Sequence, residues 1–580
     1  MSSTEEEHIS FFKKIKHLGK ILNIKEKVIL YSAVTVLLLI FGGLAMKYYL
    51  SVTKTIPANG GEYIEGININ SAGTPKNINP ILKATRPIDE TISSLVFSSL
   101  FTYNNNGQLT NDLTKDYQIS SDKKQYTIHI KKNIKWHDGH ELTADDIVFT
   151  VNLLQNPNYN PSGAKEWNKE TIKISSPDKE TVVFSLSEPY APFLSKLTFG
   201  ILPKHLWKNI NEDNFLLTDL NLKPIGSGPF LFDEIKKNNQ GEIIAYKLMA
   251  NKNYYGHKPF LDRIIFNFYQ NQEEIIEAYN HKEIQGFTLL EYDKIEEMKQ
   301  RKDTTIYAIN TPQYFSILLN QGKSIALADK KVRQALQLGT NRDELIKEVF
   351  HGYGIKIFSP LIKPFIPEEF NYDQTKTTYS PEEAEKLLDE AGWKKDKNSQ
   401  IRKKDGQELT IKLVTTESKS LLKTADLIKK QWEKLGIKME IITSENGLSI
   451  KQDYLKPRNF EALLFGLQYS GNDPNLFFFW HSSGKKDPGM NFTLYDNEKV
   501  DKLLEESKSA ANSKEKNKKY IEVSKELVED APAIFIYSPQ YIYTISKKIN
   551  GVQTTKAIVK TTDRLKNANY WYTKTTRVRK

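Results

Sequence analysis

The sequence of 580 residues contains no cysteine. Disulfides, thiolate nucleophiles, thiolate zinc sites and cysteine-linked lipid anchors are therefore excluded. The cellular compartment stays open on this count, because a chain without cysteine fits either side of a membrane. A Gly-x-Ser-x-Gly elbow, a P-loop and a Rossmann fingerprint are also missing. These absences lead us to predict that the protein is not an enzyme.

The excess of positive charge is small for the length of the chain. There are 82 basic and 71 acidic residues, which gives a formal charge of +11, and the two signs are interleaved. This pattern is typical of a solvated, lysine-rich surface. Nucleic-acid binding would need a basic stripe with interleaved aromatic residues or a recognisable module, and we find neither. We predict no nucleic-acid partner, no cofactor and a monomer.

One long uncharged stretch lies near the N-terminus. It is residues 28–46, VILYSAVTVLLLIFGGLAM, and no later stretch of the sequence is apolar enough to span a bilayer. At ~1.5 Å of rise per residue, such a helix crosses most of a ~30 Å hydrocarbon core. The basic residues before it are Lys13, Lys14, Lys16, Lys20, Lys25 and Lys27. The sequence therefore predicts a single membrane helix whose N-terminus stays in the cytoplasm.

The membrane prediction divides the start of the chain into three segments. They are a cytoplasmic basic segment at 1–27, a transmembrane anchor at 28–50 and a polar linker at 51–61. The remainder is expected outside the cell membrane, in a periplasm or on the outer face. A cleavable signal peptide is the rival interpretation. The long basic segment, the length of the apolar run and the lack of a small-x-small site before KYYLSVTKT disfavour it.

Beyond the linker, helical and strand patterns alternate, which predicts an α/β fold with two or three domains. The clearest unit has a strand from Leu409, a helix over Leu421–Leu435 and a strand from Ile437. Strand, helix and strand in this order predict parallel strands joined by a right-handed crossover. Ser380 and Pro381 are typical of the start of another helix, which Gly392 ends.

The most specific stretch is WHDGHELTADD, within residues 95–154. It combines a tight turn with a helix start that carries acidic residues at its positive end. The residues that form the pattern are Trp136, Asp138, Gly139, Thr143, Ala144 and Asp146. This Trp-x-Asp-Gly, Thr-Ala-x-Asp order resembles that of the family 5 extracellular solute-binding proteins, which include dipeptide-, oligopeptide- and nickel-binding proteins of ABC importers.

Five further motifs follow in the order of that family and extend the resemblance over about residues 65–550. They are IGSGPF, NKNYYGHKPFLDRIIF, DKKVRQALQLGTNRDELIKEVFHGYG, SPEEAEKLLDEAGW and GNDPNLFFFWHSS. The resemblance implies a two-lobed clamp like that of periplasmic binding proteins, with an extra subdomain in lobe 1. Lobe 1 is expected to comprise residues 62–310 plus 536–580, with the subdomain at about 91–220, and lobe 2 residues 311–535. The chain is expected to cross between lobes near Tyr307–Phe315 and near Ala533–Tyr537.

The resemblance also implies capture of a peptide in the cleft between the lobes and its delivery to a permease. Peptide-binding members present a Gly-Trp strand end, followed by an aspartate that neutralises the amino terminus of the peptide. Here Gly466 matches the glycine, whereas Leu467 and Ser470 replace the tryptophan and the aspartate. A serine cannot supply the charge that a buried ammonium needs. A longer peptide bound in mid-chain, a capped peptide and a different solute all remain open.

Other ligand contacts are expected from the same alignment. Gly466, Leu467 and Gln468 are expected to form an open strand edge, faced by a second edge at Arg86, Pro87 and Ile88. Such edges bind a peptide through its main chain. Asp473 is a further candidate, although an aspartate before proline more often caps a turn. The candidates for side-chain pockets, for each of which core packing is the simpler interpretation, are Tyr469, Trp480, Tyr314 and Phe315.

The turn sequence also brings four possible metal ligands together, namely His137, Asp138, His140 and Glu141. Successive residues of a strand face opposite ways, and the turn pattern already accounts for the stretch. The remaining histidines considered are isolated in sequence: His205, His257, His281, His351 and His481. We predict no metal site, and the family resemblance leaves a nickel or haem ligand open as an alternative.

The alternative function is a membrane-anchored clamp of the same fold that does not feed an importer. It would act as a ligand sensor, act as a peptide chaperone or bind a non-peptide solute. Adjacent permease and ATPase genes would favour import, whereas an adjacent kinase or protease gene would favour the alternative.

Overall fold

The structure is a computed structural model of the 580-residue chain. It describes residues 23–82, 86–104, 107–159, 164, 167–190, 193–362, 377–396, 399–469, 474–510, 513–553 and 561–580. Two compact units are distinguished, Met1–Gly60 with Tyr572–Lys580 and Gly61–Trp571.

The strands of the described residues are β1 Thr53–Ala58, β2 Glu62–Asn68, β3 Phe101–Tyr103, β4 Leu109–Asn111, β5 Thr114–Ile119, β6 Gln125–Ile130, β7 Ile172–Ser175, β8 Thr181–Leu186, β9 Phe230–Lys237, β10 Ile243–Ala250, β11 Arg263–Tyr269, β12 Gly286–Leu289, β13 Thr304–Asn310, β14 Gln313–Leu319, β15 Gly354–Lys356, β16 Lys394–Asp396, β17 Ser399–Lys404, β18 Gln407–Glu408, β19 Thr410–Thr416, β20 Lys438–Ser444, β21 Ala462–Gln468, β22 Ala533–Ser546 and β23 Lys574–Arg579.

The α-helices are α1 Ile24–Val52, α2 Ile69–Ala72, α3 Pro87–Val96, α4 Ala144–Gln155, α5 Phe193–Lys196, α6 Lys204–Trp207, α7 Glu212–Phe215, α8 Gln272–Asn280, α9 Ile295–Lys299, α10 Ile325–Ala328, α11 Lys330–Leu338, α12 Arg342–Phe350, α13 Pro381–Glu390, α14 Lys419–Lys434, α15 Gly447–Ser449, α16 Leu476–Trp480, α17 Glu498–Lys508 and α18 Ser513–Asp530. Short 3-10 or π-helical turns cover Asp219–Asn221, Tyr292–Lys294, Ile450–Leu455, Ser482–Gly484, Thr561–Leu565 and Ala568–Tyr570.

The smaller unit consists of α1 and a two-stranded ribbon of β1 and β23. A capping box between Asn23 and Glu26 starts α1, which is the one helix of the described part of the chain that is long and apolar enough to cross a membrane. β1 and β23 pair antiparallel, with Thr53 opposite Arg579 at one end and Ala58 opposite Lys574 at the other. Within the segment predicted as a linker, 51–61, residues 53–58 are thus an ordered strand whose backbone groups are satisfied by β23. The C-terminal strand, predicted as part of lobe 1, belongs to this ribbon.

A single mixed sheet runs through the larger unit, in the order β20-β19-β21-β14-β22-β12-β2-β11-β10-β9. Both halves of the sheet share β22. Its first half, Ala533–Tyr537, pairs with β14, and its second half pairs with β13 over Gln540–Ser546 and with β12 over Ile542–Ile545. Buried apolar side chains of the described residues form four clusters, two on the half of the sheet that contains β2 and β12 and two on the half that contains β14 and β21.

The chain also forms a separate antiparallel sheet in the order β5-β6-β8-β7, within the region expected to be the extra subdomain. Its inward residues alternate with outward ones along β6 and β8, as a sheet with one buried face requires. α4 packs beside this sheet and begins at Thr143, whose capping box with Asp146 confirms the predicted helix start.

The predicted βαβ unit is confirmed. β19, α14 and β20 follow one another in the chain. β19 and β20 pair in parallel, from Thr410 opposite Lys438 to Thr416 opposite Ser444. The buried face of α14 includes Ala425, Ile428 and Trp432, which recur at helical spacing. This unit fixes the position of β21, which pairs with β19 at one end and carries the predicted ligand residues.

Candidate ligand-binding site where the two halves of the sheet meet

The strand end at Gly466–Gln468 extends beyond its partner on one side. β21 pairs with β19 only at Ala462 and Leu463, so no strand among the described residues lies beside 465–468 on that side. On its other side, β21 is antiparallel to β14, with Phe315 opposite Gly466. The end of β21 is thus a half-open edge.

The hydrogen-bond alternation shows which residues face this open edge. The amide of Tyr469 donates to the Pro312 carbonyl at 2.9 Å, and the amide of Asn320 donates to the Glu461 carbonyl at 2.8 Å. Bonded and non-bonded pairs alternate in an antiparallel ladder. Because residues 461 and 469 are bonded to the β14 side, the odd-numbered residues of β21 form the bonded pairs with β14. The main-chain N–H and C=O groups of the even-numbered residues therefore point away from β14.

Gly466 and Gln468 accordingly present main-chain groups to the open side, whereas those of Leu467 are used by β14. The Thr415 hydroxyl donates to the Leu464 carbonyl at 3.2 Å. Leu464, another even-numbered residue, therefore also presents its main chain to the side away from β14. The predicted open edge therefore consists of alternate residues and not of three in a row.

The ring of Phe315 covers Gly466. A β-carbon at Gly466 would lie 2.6 Å from Cε1 of Phe315, closer than two carbon atoms can approach. The Phe315 ring is half-buried and lies 5.5 Å from the ring of Tyr537, centroid to centroid. The Tyr537 hydroxyl is within 2.8 Å of the Thr424 hydroxyl, and burial raises the pKa of Tyr537 above its ordinary value, so this phenol stays neutral.

Four of the predicted ligand-contacting side chains lie in the core of the half of the sheet that contains β14 and β21. Tyr314 is fully buried, and Leu467 is 7% exposed. The Tyr469 hydroxyl donates to the Pro360 carbonyl at 2.6 Å, and Trp480 packs on Phe535 with ring centroids 5.8 Å apart. The simpler interpretation, core packing, therefore describes Tyr314, Tyr469 and Trp480. Phe315 remains the candidate with part of its ring accessible.

The second predicted edge is wrong in its geometry. Pro87 and Ile88 begin helix α3, with proline at the first position, where its missing N–H costs nothing. Ile88 is 1% exposed and packs in the core. Arg86 is extended, but its guanidinium donates to the Thr74 carbonyl at 2.8 Å and its stem lies against Gly73. The predicted residues Ser470 and Asp473 lie outside the described residues.

The two halves of the sheet are joined by two neighbouring stretches of chain, between β13 and β14 and within β22. Side chains cross-link them. The Ser538 hydroxyl donates to the Gln313 carbonyl at 2.6 Å, and the Gln540 amide donates to Oδ1 of Asn310 at 3.1 Å. The crossing within β22 lies at residues 537–540, a few residues later than predicted, because β14 releases the strand at Tyr537. Paired extended segments of this kind are a common hinge.

A buried polar cluster lies in the half of the sheet that contains β2 and β12. Glu65 and Arg564 form an ion pair at 2.8 Å, and the hydroxyls of Tyr63 and Tyr543 lie 3.3 and 3.2 Å from the same carboxylate. Burial acts to lower the pKa of Arg564, but Glu65 outweighs it and raises that pKa above its usual value. Sequence reasoning missed this cluster, because its members are hundreds of residues apart.

A possible metal-ligand group was missed for the same reason. The structure places His205 beside Asp138 and His140, which are 65 residues or more away in sequence. The turn residues His137 and Glu141 are not members of the group. Spacing within the turn alone could not show that a third ligand comes from α6.

The two-lobed α/β fold, with a sheet shared by both halves, is that of the periplasmic binding proteins, whose domains close around ligands by hinge motion. A family model described as bacterial extracellular solute-binding proteins, family 5 middle, matches residues 108–489. The chain belongs to this family, and the resemblance inferred from the sequence is confirmed. The family is one of solute-binding proteins and not of enzymes.

Two known proteins, one of them also compared as a solved structure, illustrate the similarity. The oligopeptide-binding protein AppA of Bacillus subtilis is 29% identical over 508 residues, covering 85% of this chain and 89% of AppA. The dipeptide-binding protein of Escherichia coli is 26% identical over 505 residues, covering 83% and 90% of the two chains. The solved structure of Bacillus subtilis AppA with a nonapeptide matches with a TM-score of 0.67 and 26% identity, covering 89% of this chain and 99% of AppA.

Proposed function

We propose that this chain captures peptides between its two lobes and delivers them to the permease of an ABC importer. The observation that carries the proposal is the open main-chain edge of Gly466 and Gln468 beside the double crossing. A strand edge binds a peptide backbone with little regard to its sequence. The names of the relatives, oligopeptide- and dipeptide-binding proteins, support the same ligand class.

The same proposal assigns the parts of the chain. Lobe 1 comprises residues 62–310 with 541–571, lobe 2 comprises residues 311–536, and residues 537–540 form the crossing within β22. Helix α1 holds the protein at the cell membrane with its N-terminus in the cytoplasm, as the lysines before it favour. Anchoring keeps a binding protein near its permease by raising its effective concentration there.

The ligand class is tested with the full-length chain in detergent. Small molecules and peptides released on denaturation are identified by mass spectrometry, and a released peptide is then synthesised with single N-methyl groups along its backbone. Binding through an added strand uses every second residue of the peptide. We expect titration calorimetry to show a loss of affinity of about tenfold or more for methylation at alternate positions, with the intervening positions tolerant. Uniform tolerance along the peptide would contradict main-chain capture.

Two substitutions at one position provide the matched test on the protein side. Gln468→Pro removes an N–H that faces the open edge and leaves the bonds to β14 intact. Gln468→Ala removes only an exposed side chain. We expect the proline variant to bind the released peptide at least about tenfold more weakly and the alanine variant to bind normally. Equal affinities would show that the peptide binds elsewhere.

Delivery is tested separately, in vesicles that contain the permease and ATPase encoded beside this gene. Peptide-dependent stimulation of ATP hydrolysis is expected with the native chain. Peptide binding without such stimulation would leave capture standing and favour the sensor or chaperone alternative.

A further inference from the structure

Three side chains that can ligate a metal ion meet on the surface where the turn after β6 contacts α6. Nε2 of His205 lies 2.7 Å from Oδ2 of Asp138, and Nδ1 of His140 lies 3.2 Å from Oδ1 of the same carboxylate. One ligating atom from each of the three residues lies within 4.8 Å of the others. The two imidazole rings are stacked, with centroids 4.2 Å apart and an interplanar angle of 28°.

The backbone holds this group in place. The turn that carries Asp138 and His140 is closed by the amide of Gly139, which donates to the Trp136 carbonyl at 2.9 Å. Gly139 has a φ of +91°, a conformation that glycine adopts without strain. The turn therefore fixes the spacing of the aspartate and the first histidine.

The second histidine is positioned by α6. The amide of Lys204, at the start of that helix, donates to Oδ1 of Asp146 at 2.8 Å. Asp146 in turn belongs to the capping box of α4. The Asp146 carboxylate therefore connects α4 to α6, and this connection positions His205 beside the turn independently of the contacts that its own ring makes.

We propose that Asp138, His140 and His205 bind a divalent transition-metal ion, with Zn²⁺ as the reference ion. Imidazole and carboxylate are the donors that Zn²⁺ takes in proteins, at bond lengths of about 2.0–2.2 Å. A tetrahedral ion with such bonds needs its ligand atoms roughly 3.3–3.6 Å apart. Nδ1 of His140 lies 3.2 Å from Oδ1 of Asp138, and Nε2 of His205 lies 2.7 Å from the other oxygen, Oδ2. Since one ligand atom from each residue lies within 4.8 Å of the others, shifts of about an ångström in the side chains bring the three atoms to this spacing.

The exposure of the three side chains allows both entry and small adjustments. His140 is 64% exposed, whereas Asp138 and His205 are 24% and 26% exposed. Three protein ligands leave a fourth position, which water occupies in open zinc sites. The site is therefore of the open type and accepts an ion from solution.

The surroundings of the group carry charges of both signs, with three acidic and two basic residues. A surface hollow of about 240 Å³ adjoins the group, and its ionisable residues other than the two histidines are Glu141, Asp145, Asp146, Lys204 and Lys208. The amine of Lys204 lies 2.9 Å from Asp145, which compensates its charge.

This site does not depend on the proposed peptide capture. Its ligands come from the turn after β6 and from α6, whereas the open edge belongs to β21. Failure of one proposal therefore leaves the other intact.

The test uses the full-length chain, purified through a tag without histidine and stripped with a chelator. Zn²⁺ is titrated into the native chain, His140→Ala, His205→Gln and the double variant by calorimetry. His281→Ala, which removes an exposed histidine outside the group, is the matched control. Thermal unfolding without metal verifies that each variant is folded.

We expect one equivalent of Zn²⁺ to bind the native chain and the control equally. Each ligand variant should bind at least about tenfold more weakly, and the double variant should lose the rise in Tm that Zn²⁺ gives the native chain. The proposal is overturned if the native chain binds no Zn²⁺. It is equally overturned if the folded double variant binds Zn²⁺ within about threefold of the native affinity, since the ion would then occupy other residues.

Discussion

The Glu65 carboxylate and the Arg564 guanidinium form an ion pair at 2.8 Å, with side chains 0% and 5% exposed, although 499 residues separate them in the chain. Glu65 lies on β2, a central strand of the sheet, and Arg564 lies on a short 3-10 turn near the C-terminus. Two tyrosine hydroxyls complete the partners of Glu65. The pair therefore attaches the C-terminal part of the larger unit to its central sheet.

Glu65→Gln should be strongly destabilising, because it leaves a buried guanidinium without its counter-charge. Loss of one partner of a buried pair typically costs about 3–5 kcal/mol of unfolding free energy. The midpoint of urea unfolding, followed by tryptophan fluorescence, measures the change. Glu297→Gln, in an exposed pair with Lys294 at 3.9 Å, is the matched control and should change the free energy by less than about 1 kcal/mol. Equal effects of the two substitutions would contradict the importance of burial.

Asp530 should make stability depend on acid pH. Its carboxylate accepts hydrogen bonds from the Tyr495 hydroxyl at 2.6 Å and the Asn497 amide at 2.9 Å, and it pairs with Lys330 at 2.9 Å. Burial acts to raise the pKa of Asp530, but these partners outweigh it, so the folded-state pKa lies below the ordinary value. A carboxyl with a lowered folded pKa stabilises the fold above its unfolded pKa of about 3.9 and loses that contribution as the pH falls through the folded pKa.

Asp530→Asn should therefore lower the unfolding free energy by about 2 kcal/mol at pH 7, and the difference from the native chain should shrink below about pH 4. Urea unfolding at several pH values checks both parts. Asp219→Asn serves as control, because that carboxylate is 82% exposed. A difference that stays constant down to pH 3 would argue against a role for the charge of Asp530.

Gly466→Ala should weaken peptide binding at the proposed edge. The new β-carbon would lie 2.6 Å from the Phe315 ring, so the ring must move from its place above the strand. We expect a loss of affinity of about tenfold, measured by calorimetry, and recovery of part of it in the double variant with Phe315→Ala, which removes the clash. Gly447→Ala is the control, since a β-carbon there meets nothing within 4 Å. Unchanged binding by Gly466→Ala would place the peptide away from this strand.

Arg577 should hold the ribbon of β1 and β23 to the end of α1. Its guanidinium lies 5.6 Å from the Tyr49 ring centroid and donates to the Thr53 hydroxyl at 2.9 Å. Arg577→Ala removes these two contacts and the hydrogen bonds to the Thr55 hydroxyl and to the Leu50 and Thr53 carbonyls, and a cation–π contact alone is worth about 0.5–1 kcal/mol. Amide hydrogen exchange of residues 53–58 and 574–579 should become several-fold faster, whereas Arg579→Ala, an exposed position on the same strand, should leave it unchanged. Equal exchange in both variants would show that strand pairing alone fixes the ribbon.

Local patterns predicted the elements of this fold well. Ala425, Ile428 and Trp432 recur at helical spacing and are buried in α14, and Thr143 does start a helix. Such features depend on residues a few positions apart, which a sequence displays directly. The pairing of β1 with β23 was missed, because β1 lacks a long apolar pattern and its partner lies at the other end of the chain.

The site was predicted less completely. Alignment identified the strand end at Gly466, but the parity of main-chain groups along β21 became visible only from its register with β14. Arg86, Pro87 and Ile88 were expected to be extended, whereas proline at a first helical position starts α3. His205 could not be connected to Asp138 from the sequence, because their contact follows from the packing of α6 and not from spacing.

Because β22 serves both halves of the sheet, neither half has its full complement of strands until residues 533–546 have been synthesised. The ribosome must therefore deliver nearly the whole polypeptide before the main-chain groups of β12, β13 and β14 find their native neighbour. The two lobes are completed together, late in translation, by the same short piece of chain.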